Sequence, residues 1–190
     1  MPTSNRTLIT LVENRPGVLN RVSSLIRRRG FNIESIAVGR SEVPGLARMV
    51  IVVDGATTAV DQVRKQLEKI IRVVKVIDIS EDNSVSRELV LVKVKSSPQT
   101  QTEIIRIAVD VFRAHIVDLT PDSIMIEVSG DASKVNSLID LFSGFGIIEL
   151  TRTGVIAMTR GKIGPLQLAG TTTPKSRKSV KNKEKSQAAG

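Results

Sequence analysis

The sequence predicts an α+β protein in which a βαββαβ unit occurs twice. Val- and Ile-rich runs alternate with segments whose apolar residues recur at helical spacing, in the same order in both halves of the chain. The second helix and the residues before it also have a weak counterpart 75 positions later. Gly55, Val60, Val63 and Leu67 correspond to Gly130, Val135, Leu138 and Phe142. This order predicts two ferredoxin-like sandwiches, each a four-stranded antiparallel sheet with both helices on one face.

The first unit starts with a β-type run at residues 7–13 and continues into a helix with five apolar residues at helical spacing. Arg27, Arg28 and Arg29 suit the negative end of the helix dipole, and Gly30 is expected to end the helix in a left-handed conformation. Runs 33–40 and 46–54 then flank Pro44-Gly45, which predicts a hairpin.

A second helix and a fourth strand complete the first unit. Thr57 or Thr58 is expected to cap this helix, and residues 73–79 form the closing strand. The helix buries one apolar face, formed by Val60, Val63, Leu67 and Ile70. We expect the first domain to span residues 1–80.

The second unit follows a polar linker that we place at residues 81–86. Val90, Val92 and Val94 alternate as in a strand, and Thr100 with Glu103 predicts a capping box for the next helix. Two strands, a helix and a strand follow, with the strands at 116–119, 124–128 and 147–152. The second domain is predicted over 87–164, and 165–190 is predicted to be a disordered basic tail because it contains few apolar residues.

One face of each predicted sheet carries no helix. The run from Met49 to Val53 is apolar without interruption, which is too apolar for a face exposed to water. We therefore expect another protein surface, such as a second protomer, to cover this face.

The composition excludes several classes of protein. The chain has no cysteine, so it has no disulfide, no thiolate zinc site and no cysteine nucleophile. No apolar run approaches the roughly 18 residues of a membrane span, and no targeting segment is expected at the start, so we expect a cytoplasmic protein that does not bind membranes. The net charge is +9, but much of the excess lies in the basic tail.

Nucleic-acid binding and catalysis are both disfavoured. RNA recognition motifs share the βαββαβ order but stack bases on aromatic residues of their central strands, and the corresponding strands here have none. The single histidine, His115, has no recognisable nucleophile or metal motif around it. Glycine loops of the phosphate-binding type are also absent from the sequence. We expect no catalytic residue, no metal site and no nucleic-acid partner.

The loop between the first strand and the first helix is the best candidate for a binding site. It reads Asn14-Arg15-Pro16-Gly17-Val18-Leu19, and a second asparagine, Asn32, opens the next strand. Pro fixes φ and Gly lets the backbone approach a ligand, so the loop could present helix N-terminal amides to a carboxylate. A simple strand-to-helix turn is the alternative interpretation of the same residues.

Four segments of the sequence resemble one family. TLVENRPGVLNRV (residues 10–22) and RGFNIES (29–35) resemble the ACT domain of acetolactate synthase (acetohydroxyacid synthase) small subunits. RELVLVKV (87–94) and RTGVIAMTRG (152–161) resemble the C-terminal domain of the same family. ACT domains in general share the first loop, whereas the other segments narrow the resemblance to these small subunits.

The resemblance implies a regulatory subunit without catalytic residues. Such a subunit activates a separate catalytic large subunit, which converts pyruvate to acetolactate, and confers feedback inhibition by valine in branched-chain amino-acid biosynthesis. Thiamine diphosphate, Mg²⁺ and FAD would belong to that partner and not to this chain. The family also implies a homodimer through the ACT domains, with valine bound by Asn14, Gly17, Val18, Leu19, Asn32 and Ile33. The alternative is an ACT-type amino-acid sensor for a different biosynthetic enzyme or a transcription factor.

Overall fold

The computed structural model describes residues 5–55, 60–79, 84–162 and 164. The predicted caps Thr57 and Thr58, the first three linker residues and the predicted tail 165–190 lie outside these residues. Among the described residues, no helix is long and apolar enough to cross a membrane.

The first half forms a four-stranded antiparallel sheet, which we call sheet 1, with the strand order β2-β3-β1-β4. Its elements are β1 (Arg6–Glu13), α1 (Val18–Arg29), β2 (Ile33–Arg40), β3 (Leu46–Val53), α2 (Val60–Leu67) and β4 (Val73–Asp78). Glycine ends α1 as predicted, because Gly30 has φ 64° and its N–H donates to carbonyls of the last turn. The hairpin is also confirmed, with Gly45 at φ 83° in its turn.

The second half repeats the arrangement as sheet 2, with the order β6-β7-β5-β8. Its elements are β5 (Ser84–Lys95), α3 (Gln101–Arg106), β6 (His115–Leu119), β7 (Ser123–Gly130), α4 (Ala132–Ser143), β8 (Ile147–Arg152) and β9 (Ile156–Thr159). A π-helical turn, Ile107–Val111, continues α3. The α+β class and the two ferredoxin-like sandwiches are thus confirmed.

Three details of the second half differ from the prediction. Ser84 to Ser86, predicted as linker, begin β5, and they pair with the unpredicted strand β9. The capping box is also wrong: the Thr100 hydroxyl accepts from the backbone N–H of Ser97 at 2.9 Å and makes no hydrogen bond to the helix. Short polar side chains often bond to nearby backbone in this way instead of capping.

Helices cover one face of each sheet, and we call the opposite face the outer face. The core between sheet 1 and its helices contains Leu8 of β1, Val22 of α1 and Leu67 of α2, all at most 1% exposed. The core of sheet 2 is built in the same way around Ile126 and Leu138. The hydrophobic faces predicted from helical periodicity are therefore the faces that are buried.

The outer face of sheet 1 is also buried, and this chain covers it. Ile9 and Val50 pack with Ile79 and with Ala157 of β9, and each of these four side chains is at most 7% exposed. The expectation that a separate protein surface covers this face is wrong for these residues. The short strand β9 was not predicted, so its role as a cover was missed as well.

Candidate functional site

The loop from Asn14 to Gly17 is tied to the β2–β3 turn. The backbone N–H of Asn14 donates to the carbonyl of Gly45 at 2.8 Å, and that of Arg15 donates to Glu13 at 2.9 Å. The Glu13 carboxylate is already engaged by two cations, with Arg15 at 3.6 Å and Arg72 at 4.0 Å. Hydrogen bonds therefore hold the backbone of the loop in place. The negative charge of the Glu13 carboxylate is offset by Arg15 and Arg72.

Gly17 takes the position before the first residue of α1 in a left-handed conformation. Its φ is 83° and its ψ is −8°, a region that other residues adopt only with strain. A Cβ built on Gly17 would have no heavy atom within 4 Å. Backbone conformation, and not lack of space, therefore favours glycine at this position.

The N-terminus of α1 keeps its positive partial charge. No side chain caps it, and its first turn contains no acidic residue. Helix N-termini carry N–H groups that lack partners within the helix, and together with the dipole these groups attract anions. The start of α1 thus has the chemistry needed to hold a carboxylate.

Side chains around this helix start differ in exposure. Asn14 and Gly17 are exposed and Leu19 is 49% exposed, so all three can meet a ligand. Val18, in contrast, packs in the core against Val12 and Ala47. If Val18 takes part in ligand binding, as the family implies, it can therefore offer only its backbone and not its side chain.

Asn32 and Ile33 lie at the opposite end of sheet 1 from the loop. Ile33 pairs with Val53, and Val53 also pairs with Arg6 at the start of β1, whereas the loop follows the end of β1. Seven residue steps along a strand cover about 24 Å. One chain alone therefore does not bring the two halves of the predicted site together.

Residues with metal-binding chemistry are not clustered in the described part of the chain. No group of three or more His, Asp or Glu side chains there could hold a metal ion. His115 is exposed on β6 and pairs in register with Glu127.

A buried ion pair in the second half was not predicted from the sequence. Glu88 on β5 is 2% exposed, and both of its carboxylate oxygens accept from Arg152 of β8, with Nε at 3.0 Å from Oε2. Arg152 also donates to Asn136 of α4 at 3.2 Å. The hydrogen bond to Glu88 raises the pKa of the Arg152 guanidinium, and burial opposes that rise. The sequence signal that could have indicated this pair is Glu88, a single glutamate ahead of the apolar part of β5.

The loop between β8 and β9 contacts β2, which carries part of the predicted site. The backbone N–H of Val155 donates to the Ser35 hydroxyl at 3.4 Å. Gly154 has φ 78°, and a Cβ there would lie 3.4 Å from the carbonyl of Ile36. The second half of the chain thus touches β2 two residues beyond Ile33.

Comparison with known families gives matches over both halves. A family model described as the small subunit of acetolactate synthase matches residues 87–161. A second model, described as an AHAS small subunit-like ACT domain, matches residues 8–75.

Individual relatives agree with these models. A probable acetolactate synthase small subunit from Archaeoglobus fulgidus is 53% identical over 155 residues, covering 82% of this chain and 96% of the relative. The acetolactate synthase small subunit of Mycobacterium leprae is 46% identical over 158 residues, covering 83% and 93%. The crystal structure of the acetolactate synthase small subunit from Thermotoga maritima superposes with a TM-score of 0.74 at 41% identity, covering 84% of this chain and 99% of that one.

Proposed function

The chain belongs to the family of acetolactate synthase small subunits, and from that premise we propose that it activates a catalytic large subunit and makes it sensitive to valine. The observation that carries the proposal is the uncapped start of α1 behind the left-handed Gly17. A free amino acid has a carboxylate, which this helix start can hold. The exposed amide side chain of Asn14 offers both a donor and an acceptor to the rest of the zwitterion.

A homodimer through β2 would complete the site. β2 is an edge strand of sheet 1, so its outer edge can pair with a second copy. Antiparallel pairing about a two-fold axis sets the start of one β2 beside the end of the other. The end of β2 pairs with Ala47, next to Val12 and the loop. Asn32 and Ile33 of one protomer would then approach the helix start of its partner.

This arrangement links valine occupancy to the geometry of the dimer. A ligand changes an equilibrium only when it binds two states with different affinities. A valine held between two protomers meets this condition, because a change in their relative orientation alters the contacts on one side of the ligand. The β8–β9 loop contacts Ser35 and Ile36 of β2, so a movement of β2 on valine binding would reach the second half of the chain.

Gly17→Asp tests the ligand site. We expect valine affinity to fall at least tenfold, because the new carboxylate lies where the ligand's carboxylate binds. The left-handed φ costs most residues other than glycine about 1–2 kcal/mol of stability, and Asp tolerates it better than most. Gly161→Asp is a matched control, since Gly161 has φ 90° and equally open surroundings. Calorimetric titration of both full-length variants with valine measures the difference, and equal valine affinity in the two variants would refute the placement of the site.

A second measurement tests the partner. Adding the chain to a purified catalytic large subunit should raise acetolactate production, and valine should reverse the increase. If valine binds the chain but no such enzyme is stimulated, the chain is an amino-acid sensor for another partner.

A further inference from the structure

A cavity of about 560 Å³ is lined by residues of sheet 1 and by residues of the two-stranded ribbon formed by the start of β5 and β9. We call it the arginine-rimmed cavity. On the sheet side it is lined by Val50 and by β2, and on the ribbon side by Val85, Ile156 and Met158. It lies outside the loop and the helix start that form the proposed valine site.

The ribbon leaves large apolar side chains exposed. Ile156 and Met158 are each 60% exposed, whereas Ala157 between them is 7% exposed and packs on sheet 1. Strand residues alternate between faces, so one side of β9 packs on sheet 1 and the other remains open. An open apolar surface beside a cavity is typical of a protein interaction site.

The charged residues that line the cavity are all arginines. They are Arg40, Arg48, Arg87 and Arg160, and no carboxylate lines the cavity among the described residues. Nε and Nη2 of Arg48 are buried and have no hydrogen-bond partner there. Arg48 also helps to lower the pKa of Glu42, although that pKa is lowered chiefly by hydrogen bonds with its own backbone and with Ser41. The cavity thus combines an apolar lining with an excess of positive charge.

We propose that the arginine-rimmed cavity and the open side of β9 form the docking surface for the catalytic large subunit. The partner would contribute a segment with an aliphatic side chain that enters the cavity and acidic residues that meet the arginines. Arginine and methionine are enriched in protein interfaces, and the fully buried core of an interface is more apolar than the rest of the surface. The proposal rests on the proposed function, because it requires that the chain bind a catalytic subunit.

Charge argues against other occupants. The tail at 165–190 contains six basic residues and one acidic residue, so it is repelled by the arginines. A second copy packed face to face would set arginines against arginines. A small anion would balance the charge but would leave Ile156 and Met158 exposed to water. An acidic and apolar partner protein satisfies both features.

The double variant Ile156→Asp/Met158→Asp tests the surface in the full-length chain. We expect its affinity for the purified catalytic subunit to fall at least tenfold, measured by biolayer interferometry, with valine binding to the free chain unchanged. Val117→Asp/Leu119→Asp is the matched control, because Val117 and Leu119 are exposed apolar strand residues at 52% and 50%. This control should change the affinity less than threefold.

A second variant tests the charge without altering the apolar surface. Arg87→Gln/Arg160→Gln should weaken binding and reduce its salt dependence, because exposed arginines act through screened electrostatic attraction. The melting temperatures of Ile156→Asp/Met158→Asp and Arg87→Gln/Arg160→Gln should lie within a few degrees of that of the unmodified chain.

The outcomes separate the two proposals. If the unmodified chain does not bind the catalytic subunit, the proposed function is wrong and the docking surface fails with it. If the unmodified chain binds and the Asp and Gln surface variants bind with the same affinity as the unmodified chain, only the docking surface is refuted. Dissociation of the homodimer in the Asp variant would also refute it, because the surface would then join two copies of this chain.

Discussion

The outer faces of the two sheets occupy equivalent places in the duplicated scaffold and have opposite character. In sheet 1, Ile9 pairs with Val50, and both side chains are at most 3% exposed. On the outer face of sheet 2, the central strand β5 carries Lys93, which pairs with Met125 of β7. Lys93 forms an ion pair with Glu149 at 3.1 Å and is partly exposed.

This difference shows how the halves depend on each other. Sheet 1 has apolar residues on both faces, so it needs a cover beyond its own helices. Sheet 2 has charged residues on its outer face and can leave that face in water. Because Ala157 of β9 supplies part of the cover, we infer that the first half relies on the second for stability and that the reverse dependence is weaker.

Exchanging residue types between the two outer faces is the strongest test. Ile9→Lys should lower the free energy of unfolding by about 3–5 kcal/mol, because it removes a buried side chain and buries an unpaired charge. Lys93→Ile should change stability by about 1 kcal/mol or less, since it removes only an exposed ion pair. Urea unfolding followed by circular dichroism measures both. Equal losses in the two variants would contradict the comparison.

Gly154→Ala tests how the second half is seated on β2. We expect a loss of about 1–2 kcal/mol from the left-handed φ, with a further loss because the Cβ would crowd the Ile36 carbonyl at 3.4 Å. Gly161→Ala has the same kind of backbone strain with open space around it. Thermal unfolding of the two variants should therefore give the lower melting temperature for Gly154→Ala. If Gly161→Ala is as destabilised, the contact with β2 contributes nothing.

The smallest expected effect comes from Thr10, on the helix-covered side of sheet 1. Thr10 is fully buried, and its hydroxyl has no hydrogen-bond partner among the described residues. On the helix-covered side of sheet 2, the central strand carries Val94, which is also fully buried. Thr10→Val should stabilise the protein by up to about 1 kcal/mol, whereas Val94→Thr should destabilise it by about 1–3 kcal/mol. Chemical denaturation resolves the signs, and a loss of stability in Thr10→Val would show that the Thr10 hydroxyl is bonded in solution.

Much of the fold could be predicted because its signals are local. The helical spacing of Val18, Val22 and Ile26 indicates the buried side of α1, and Gly30 indicates where the helix ends. The capping box failed because Thr100 had a competing partner three residues earlier in the chain. β9 was missed because four residues with one buried side chain give too short a pattern to identify a strand.

The residues of the candidate site stay a prediction from the sequence, and the sequence did not give their arrangement. Nothing in the sequence stated that Asn14 and Asn32 stand at opposite ends of one sheet, since that depends on strand register. The sequence also did not distinguish the buried Val18 side chain from the exposed Leu19, which is its neighbour on the helix.

The sequence by itself determined the order of the elements, the turns at Gly30 and Gly45, and the family. These features depend on neighbouring residues, whose spacing and backbone preferences can be read along the chain. Only the tertiary structure decided that β9 covers sheet 1 and that the β8–β9 loop rests on β2. Such contacts join residues more than 100 positions apart, and they depend on how two folded surfaces fit together.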